Sequence, residues 1–147
     1  MQLAKEISSL IDQKAALFSA VSDEVWSHPE LGFHEVQSAK ALSTLLQSEG
    51  FAVEMGVAGI PTAFIATYGS GKPAVGFLGE YDALSLLSQQ AGGTQHCPIE
   101  PGGNGHGCGH NALGAGSLAA AVAVKDYLQA HHLPGTVQYF GCPGRCV

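Results

Sequence analysis

The chain has 147 residues, a length that suits one domain or part of a larger one. Hydrophobic residues make up 46% of it and charged residues only 12%, which excludes disorder of the whole chain. A net charge of −6, with six lysines and arginines in all, gives no electrostatic basis for binding nucleic acid or an anionic membrane surface.

The sequence predicts a cytoplasmic protein. No apolar run approaches the roughly 20 residues of a membrane span, and the polar N-terminal sequence does not resemble a signal peptide. The four cysteines are therefore expected to be free thiols or metal ligands rather than a disulfide framework.

Hydrophobic periodicity predicts helices at the start of the chain and strands after them. Apolar residues recur at helical spacing over residues 3–26 and over residues 35–49. Residues 51–55 alternate as a strand does, and residues 62–68 form a second strand candidate. The third strand, residues 74–79, is so apolar that it is predicted to lie in the centre of a sheet.

The second half of the chain is predicted to continue as loop, helix and strand. Residues 91–109 are glycine-rich and lack periodicity, so they are a loop, whereas residues 111–130 form a helix rich in small side chains. His131 and His132 at its end are interpreted as complementing the helix dipole, and residues 136–141 form a fourth strand. This order predicts an α/β fold, with a mixed sheet layered with helices.

The segment GHGCGHN, residues 105–111, is the strongest candidate site. Thiolate and imidazole both bind borderline-soft divalent metals, so Cys108 and His110 are candidate ligands, with His106 beside them. The alternative is a glycine-rich turn with an incidental cysteine and histidine. Two ligands are also fewer than the three or so that a catalytic zinc site takes from its protein.

A second candidate site follows the apolar third strand in the segment GEYDAL. Glu80 and Asp82 lie two residues apart, so both point to one face in a regular strand. Such a pair binds a metal directly or fixes the orientation of a metal-bound histidine. The alternative is a solvated strand end.

Three further patterns have simpler explanations. GSGKP, residues 69–73, lacks the flanking residues of a phosphate-binding loop and is predicted to be a hairpin turn. SHPELGFHE, residues 27–35, is explained by helix-boundary capping and polar packing. A four-thiolate zinc site is disfavoured because no CxxC pair exists; its members would be Cys97, Cys108, Cys142 and Cys146.

Taken together, these motifs resemble a known family. SHPELGFHE, GEYDAL, GHGCGHN before an alanine-rich helix, and TVQYFGCP occur here in that order. They are similar to the aminoacylase/carboxypeptidase family of dinuclear-metal peptidases and amidohydrolases, and within it to the p-aminobenzoyl-glutamate hydrolase subgroup. The resemblance covers residues 20–143.

The resemblance implies a fold, a reaction and roles for individual residues. The chain would be the N-terminal part of a zinc-peptidase-like catalytic domain that binds two divalent ions, zinc or manganese. Cys108 and His110 would be metal ligands and Asp82 would orient the site, with Glu80 and His106 supporting it. The reaction would be hydrolysis of N-acyl or aroyl amino acids, or of small peptides, by metal-activated water. The complete protein would act on a small-molecule amide as a homo-dimer or hetero-oligomer.

The resemblance ends near residue 143. In the family, two adjacent glutamates follow this strand, a general base and a metal ligand, whereas here Gly144 and Arg145 follow. The sequence therefore predicts that residues 1–147 are an incomplete N-terminal portion of one catalytic domain, without the inserted dimerisation or lid domain and without the general base. The alternatives are a truncated, inactive fragment or a small metal-binding module.

Overall fold

Helices cover one face of a four-stranded sheet, which confirms the predicted α/β class. The computed structural model describes residues 2–144, and within them no helix is both long and apolar enough to cross a bilayer. The elements are α1 Gln2–Gln13, α2 Ala15–Ser27, α3 Val36–Ser48, β1 Ala52–Met55, β2 Phe64–Ser70, β3 Ala74–Glu80, α4 His110–Ala130 and β4 Gly135–Cys142. A short 3-10 turn, Val57–Gly59, joins β1 to β2.

The sheet is mixed and its order is β1-β2-β4-β3. The last strand, β4, pairs antiparallel with β2 and parallel with β3. Because β4 lies between them, β2 and β3 do not pair, and the prediction that residues 69–73 form a hairpin turn is wrong. Residues 69–73 instead connect β2 to β3 across the intervening strand β4.

The prediction that the third strand is central is also wrong for the described part of the chain. There β3 pairs only with β4 and forms one edge of the sheet. Several of its side chains are accordingly exposed to solvent, with Val75 41% and Leu78 65% exposed. Apolar composition favours a strand but does not fix how many neighbours it has.

The first predicted helix is divided in two at Lys14. The backbone of Lys14 leaves helical geometry at φ −116° and ψ 12°, and its ammonium group lies 2.5 Å from Glu49 Oε2 and 2.8 Å from Asp126 Oδ2. Lys125 contacts the same two carboxylates. This cluster of four charges ties the junction of α1 and α2 to the end of α3 and to α4.

Close packing of α4 on the sheet sets the position of the candidate site. A Cβ at Gly79 would overlap the Tyr139 hydroxyl, and a Cβ at Gly114 would lie 2.8 Å from the Glu80 carbonyl oxygen. The Tyr139 hydroxyl also donates a hydrogen bond of 3.2 Å to the Gly114 carbonyl. These two glycines therefore let the first turn of α4, which begins at His110, approach the end of β3.

Candidate metal centre

Three potential metal ligands meet where β3 ends and α4 begins. Glu80, Asp82 and His110 each offer one ligand atom, and these atoms lie within 4.8 Å of one another. Glu80 is the last residue of β3, and His110 is the first residue of α4, directly after Gly109 in the left-handed conformation with φ +77°. The sequence predicted these side chains as candidates in two separate segments, and the structure brings the segments together.

Asp82 orients the imidazole of His110. The His110 Nδ1–H donates to Asp82 Oδ1 over 2.5 Å, and the two residues are 6% and 1% exposed. Asp82 is therefore not a solvated strand end, which was the alternative for this segment. The bond fixes the ring and leaves the lone pair of a neutral imidazole on Nε2.

The other ring nitrogen of His110 faces Glu80. Its Nε2 atom lies 3.2 Å from Glu80 Oε2, whose side chain is 34% exposed. A neutral imidazole nitrogen and a carboxylate oxygen both present electron pairs, so a proton or a metal cation must lie between them for the contact to be favourable. The separation also suits two ligands that each lie about 2.0–2.2 Å from one zinc ion. The donor set present therefore fits a divalent metal.

The second oxygen of Asp82 supports the same interpretation. Among the described residues, Asp82 Oδ2 is buried and has no hydrogen-bond partner. A buried polar atom without a partner costs free energy, and such atoms are rare in folded proteins. This cost is offset where the carboxylate holds a metal-binding histidine in position.

Cys108 lies on the loop two residues before His110 and is exposed. Its thiol is outside the group formed by Glu80, Asp82 and His110, so its role as a ligand stays a prediction. An exposed thiol on a glycine-rich loop has the freedom to turn toward a bound ion.

His106 is hydrogen-bonded to α2 and is not part of the group formed by Glu80, Asp82 and His110. Its Nε2–H donates to the Val25 carbonyl over 3.0 Å, and its Nδ1 is buried without a partner in the described chain. Burial lowers the pKa of His106 below its ordinary value, although the hydrogen bond to Val25 acts in the opposite direction. A neutral His106 therefore anchors the loop that carries Cys108 and His110.

Among the described cysteines, none belongs to a group of three or more potential metal ligands. Cys97 is exposed on the long loop and Cys142 is partly buried at the end of β4, while Cys146 lies outside the described residues. Burial, and secondarily the charge of Glu80, raise the pKa of the Cys142 thiol. Within residues 2–144, the one group of three potential ligands contains no cysteine.

The segment 27–35 contains two acidic residues with different roles. Glu30 accepts hydrogen bonds from the backbone N–H groups of Gln37 and Ser38 at 2.9 and 3.0 Å, so it caps α3 as the capping interpretation predicted. Glu35 makes no capping bond and is completely buried. Polar packing was predicted for this segment, but the partners of Glu35, Thr62 and Gly144, are too distant in sequence for a local pattern to identify them.

No family model matches the chain. However, one of the subunits of the Escherichia coli K12 p-aminobenzoyl-glutamate hydrolase is 48% identical over 143 residues, which cover 97% of this chain and 30% of that protein. The chain is similar to this hydrolase subunit over nearly all of its own length. Its motifs predicted this relationship, and it spans about a third of the length of the relative it matches.

Solved structures contain the same fold as this chain. A Staphylococcus aureus protein described as an aminohydrolase is 25% identical, with a TM-score of 0.76 over 97% of this chain and 36% of that chain. A Bacillus subtilis protein described as a dinuclear metal-binding peptidase is 24% identical, with a TM-score of 0.67 over 88% of this chain and 36% of that chain.

Proposed function

We propose that this chain supplies part of the metal centre of an amide hydrolase. The observation that carries the proposal is the facing pair of His110 Nε2 and Glu80 Oε2, 3.2 Å apart, with Asp82 fixing the opposite side of the ring. Similarity to the E. coli relative supports the same function, because that protein hydrolyses an aroyl amino acid according to its name.

Each residue has a stated part in this proposal. His110 would hold a divalent ion, zinc or manganese, together with Cys108, while Asp82 keeps Nε2 aimed at it. A bound ion would polarise the amide carbonyl and supply an activated water. Glu80 is half-buried and faces both His110 and solvent, so it lies where an incoming substrate would meet the centre. A second ion, as in the dinuclear family members, would need ligands beyond these.

The proposed substrates are N-acyl or aroyl amino acids of the p-aminobenzoyl-glutamate type, or small peptides. Assembly into a homo-dimer or hetero-oligomer is proposed for a protein of the relatives' full length. The cytoplasmic location expected from the sequence stays a prediction.

Calorimetric titration with Zn²⁺ and with Mn²⁺ tests the metal centre. We expect saturable binding that is lost in His110→Ala and retained in His131→Ala, because His131 pairs with Glu6 on the surface at 2.6 Å. Cys108→Ser should weaken binding of Zn²⁺ more than binding of Mn²⁺, since thiolate favours zinc and carboxylate suits manganese. Equal binding by His110→Ala and the unaltered chain would refute the proposed centre.

Release of p-aminobenzoate from p-aminobenzoyl-glutamate tests the reaction itself. Metal binding without hydrolysis is expected both for a metal-binding module and for an incomplete catalytic domain without the general base, whereas hydrolysis would exclude the module. The facing pair of donors supports metal binding in either case, so the two assays separate the two functions.

A further inference from the structure

Glu35 is a buried acid that the proposed metal centre does not use. It is 0% exposed, and no nitrogen of a Lys, Arg or His side chain within residues 2–144 lies within ion-pair distance of it. A buried carboxyl group without a cationic partner costs stability unless hydrogen bonds satisfy it. Its two oxygens accept one hydrogen bond each, from Thr62 Oγ1 at 3.1 Å and from the Gly144 backbone N–H at 2.7 Å.

The bond to Gly144 holds the chain that leaves β4 against Asp82. Gly144 is buried, and a Cβ added to it would overlap the Asp82 carboxyl group, including Oδ2. The backbone of Gly144 therefore covers the side of Asp82 that has no hydrogen-bond partner. It keeps water from that oxygen and leaves Oδ1 for His110.

The bond to Thr62 leads back to Asp82 by a second route. The Thr62 carbonyl accepts a hydrogen bond of 2.6 Å from the Tyr81 hydroxyl, and Tyr81 precedes Asp82 in the chain. Burial raises the pKa of the Tyr81 hydroxyl, so it stays a donor. Glu35 thus joins two contacts that converge on Asp82, one through the backbone of Tyr81 and one through the packing of Gly144.

We infer that Glu35 is a positioning residue for the Asp82–His110 pair, acting through its hydrogen bond to the Gly144 backbone. The inference rests on the proposed metal centre for its functional meaning. The physical effect itself, a fixed Asp82 carboxyl and a fixed His110 ring, exists in the metal-free chain and is measurable there.

The test compares Glu35→Gln, Glu35→Met and Thr62→Val in the full chain. Glutamine keeps an acceptor for Gly144, whereas methionine fills a similar volume without one. Thr62→Val removes one hydrogen bond of the same carboxyl but leaves the bond to Gly144, so it controls for a general loss of stability.

Two NMR readouts need no metal. The first is hydrogen exchange of the Gly144 amide, and the second is the low-field resonance of the His110 Nδ1 proton that is bonded to Asp82. We expect both to be preserved in Glu35→Gln and Thr62→Val. In Glu35→Met, the Gly144 amide should exchange as an unprotected amide and the His110 resonance should broaden or disappear. The affinity of Glu35→Met for Zn²⁺ should fall, by less than the roughly 10–100-fold loss caused by removing a direct partner of a ligand.

Three results would overturn the inference. The first is a folded Glu35→Met protein with an unchanged His110 resonance. The second is equal loss of the resonance in Glu35→Gln, and the third is rapid exchange of Gly144 in the unaltered chain. If Glu35→Met does not fold, Glu35→Asp, which keeps the acid but shortens its reach, is judged by the same readouts. Failure of the unaltered chain to bind Zn²⁺ would count against the proposed function alone, because the NMR readouts still decide the role of Glu35.

Discussion

We expect the affinity for Zn²⁺ to fall moderately in Asp82→Asn and further in Asp82→Ala. In Asp82→Asn the hydrogen bond to His110 Nδ1, now 2.5 Å long, keeps an acceptor but loses its charge. Hydrogen bonds to charged groups contribute about 1.5–3 kcal/mol and neutral ones about 0.5–1.5 kcal/mol, so the difference is roughly 1–1.5 kcal/mol. At about 1.4 kcal/mol for each factor of ten, this predicts an increase of about tenfold in the Kd for Zn²⁺.

Asp82→Ala removes the acceptor altogether. The Kd should then rise toward about 100-fold, the upper end of the effect of losing a partner of a metal-binding histidine. Competition titration against a chromogenic chelator measures both variants on one scale.

The matched control is Asp126→Asn. Asp126 is also paired and partly buried, but it belongs to the charge cluster with Lys14 and Lys125, away from His110. It should lower stability without changing the Kd for Zn²⁺. The reasoning is refuted if both Asp82 variants bind Zn²⁺ within twofold of the unaltered chain, or if Asp126→Asn weakens binding as much as they do.

The charge cluster, the sheet edge and the packing of α4 give three further expectations. Although burial opposes it, bonding to Lys14 and Lys125 lowers the pKa of Glu49 below 4.5 and that of Asp126 below 3.8. In acid, the unfolded chain therefore binds more protons than the folded chain, so the free energy of unfolding present above about pH 4.5 should decrease as the pH falls. In Lys125→Met, the free energy of unfolding measured with urea should depend less steeply on pH. Leu78 lies on the exposed edge strand, so we expect Leu78→Lys to reduce the self-association of the chain, measured by light scattering. An unchanged level of self-association would mean that this edge is not the associating surface. Gly79→Ala should cost about 1–3 kcal/mol in urea unfolding, because it forces overlap with a buried tyrosine. Gly76→Ala should cost less, because it meets only the end of the Phe140 ring, and a larger cost there would contradict the packing argument.

Sequence patterns identified three side chains that the structure brings together, although they did not give the order of the strands. Glu80, Asp82 and His110 were candidates because they lie at or near the end of a strand or the start of a helix, where local signals are strong. The position of β3 at an edge was not predicted, because it depends on β4 entering the sheet from more than fifty residues further along the chain.

Interactions between distant residues explain the other differences. The break in the first helix depends on Lys14 meeting Asp126, 112 residues away. The burial of Glu35 depends on Gly144, 109 residues away. Neither pairing leaves a periodic signal near the residue it affects, so local patterns favour an unbroken first helix and do not show that Glu35 is completely buried.

The place of β4 in the sheet also constrains when the sheet can be completed during synthesis. Because this strand separates β2 from β3, neither of the two inner ladders exists until the chain has been synthesised through Cys142. Before that point, β1 and β2 can pair with each other, whereas β3 has no neighbouring strand in the described chain. Such long-range pairing is slow compared with local helix formation, so a nascent chain that ends before Gly135 exposes unpaired strand edges that favour aggregation.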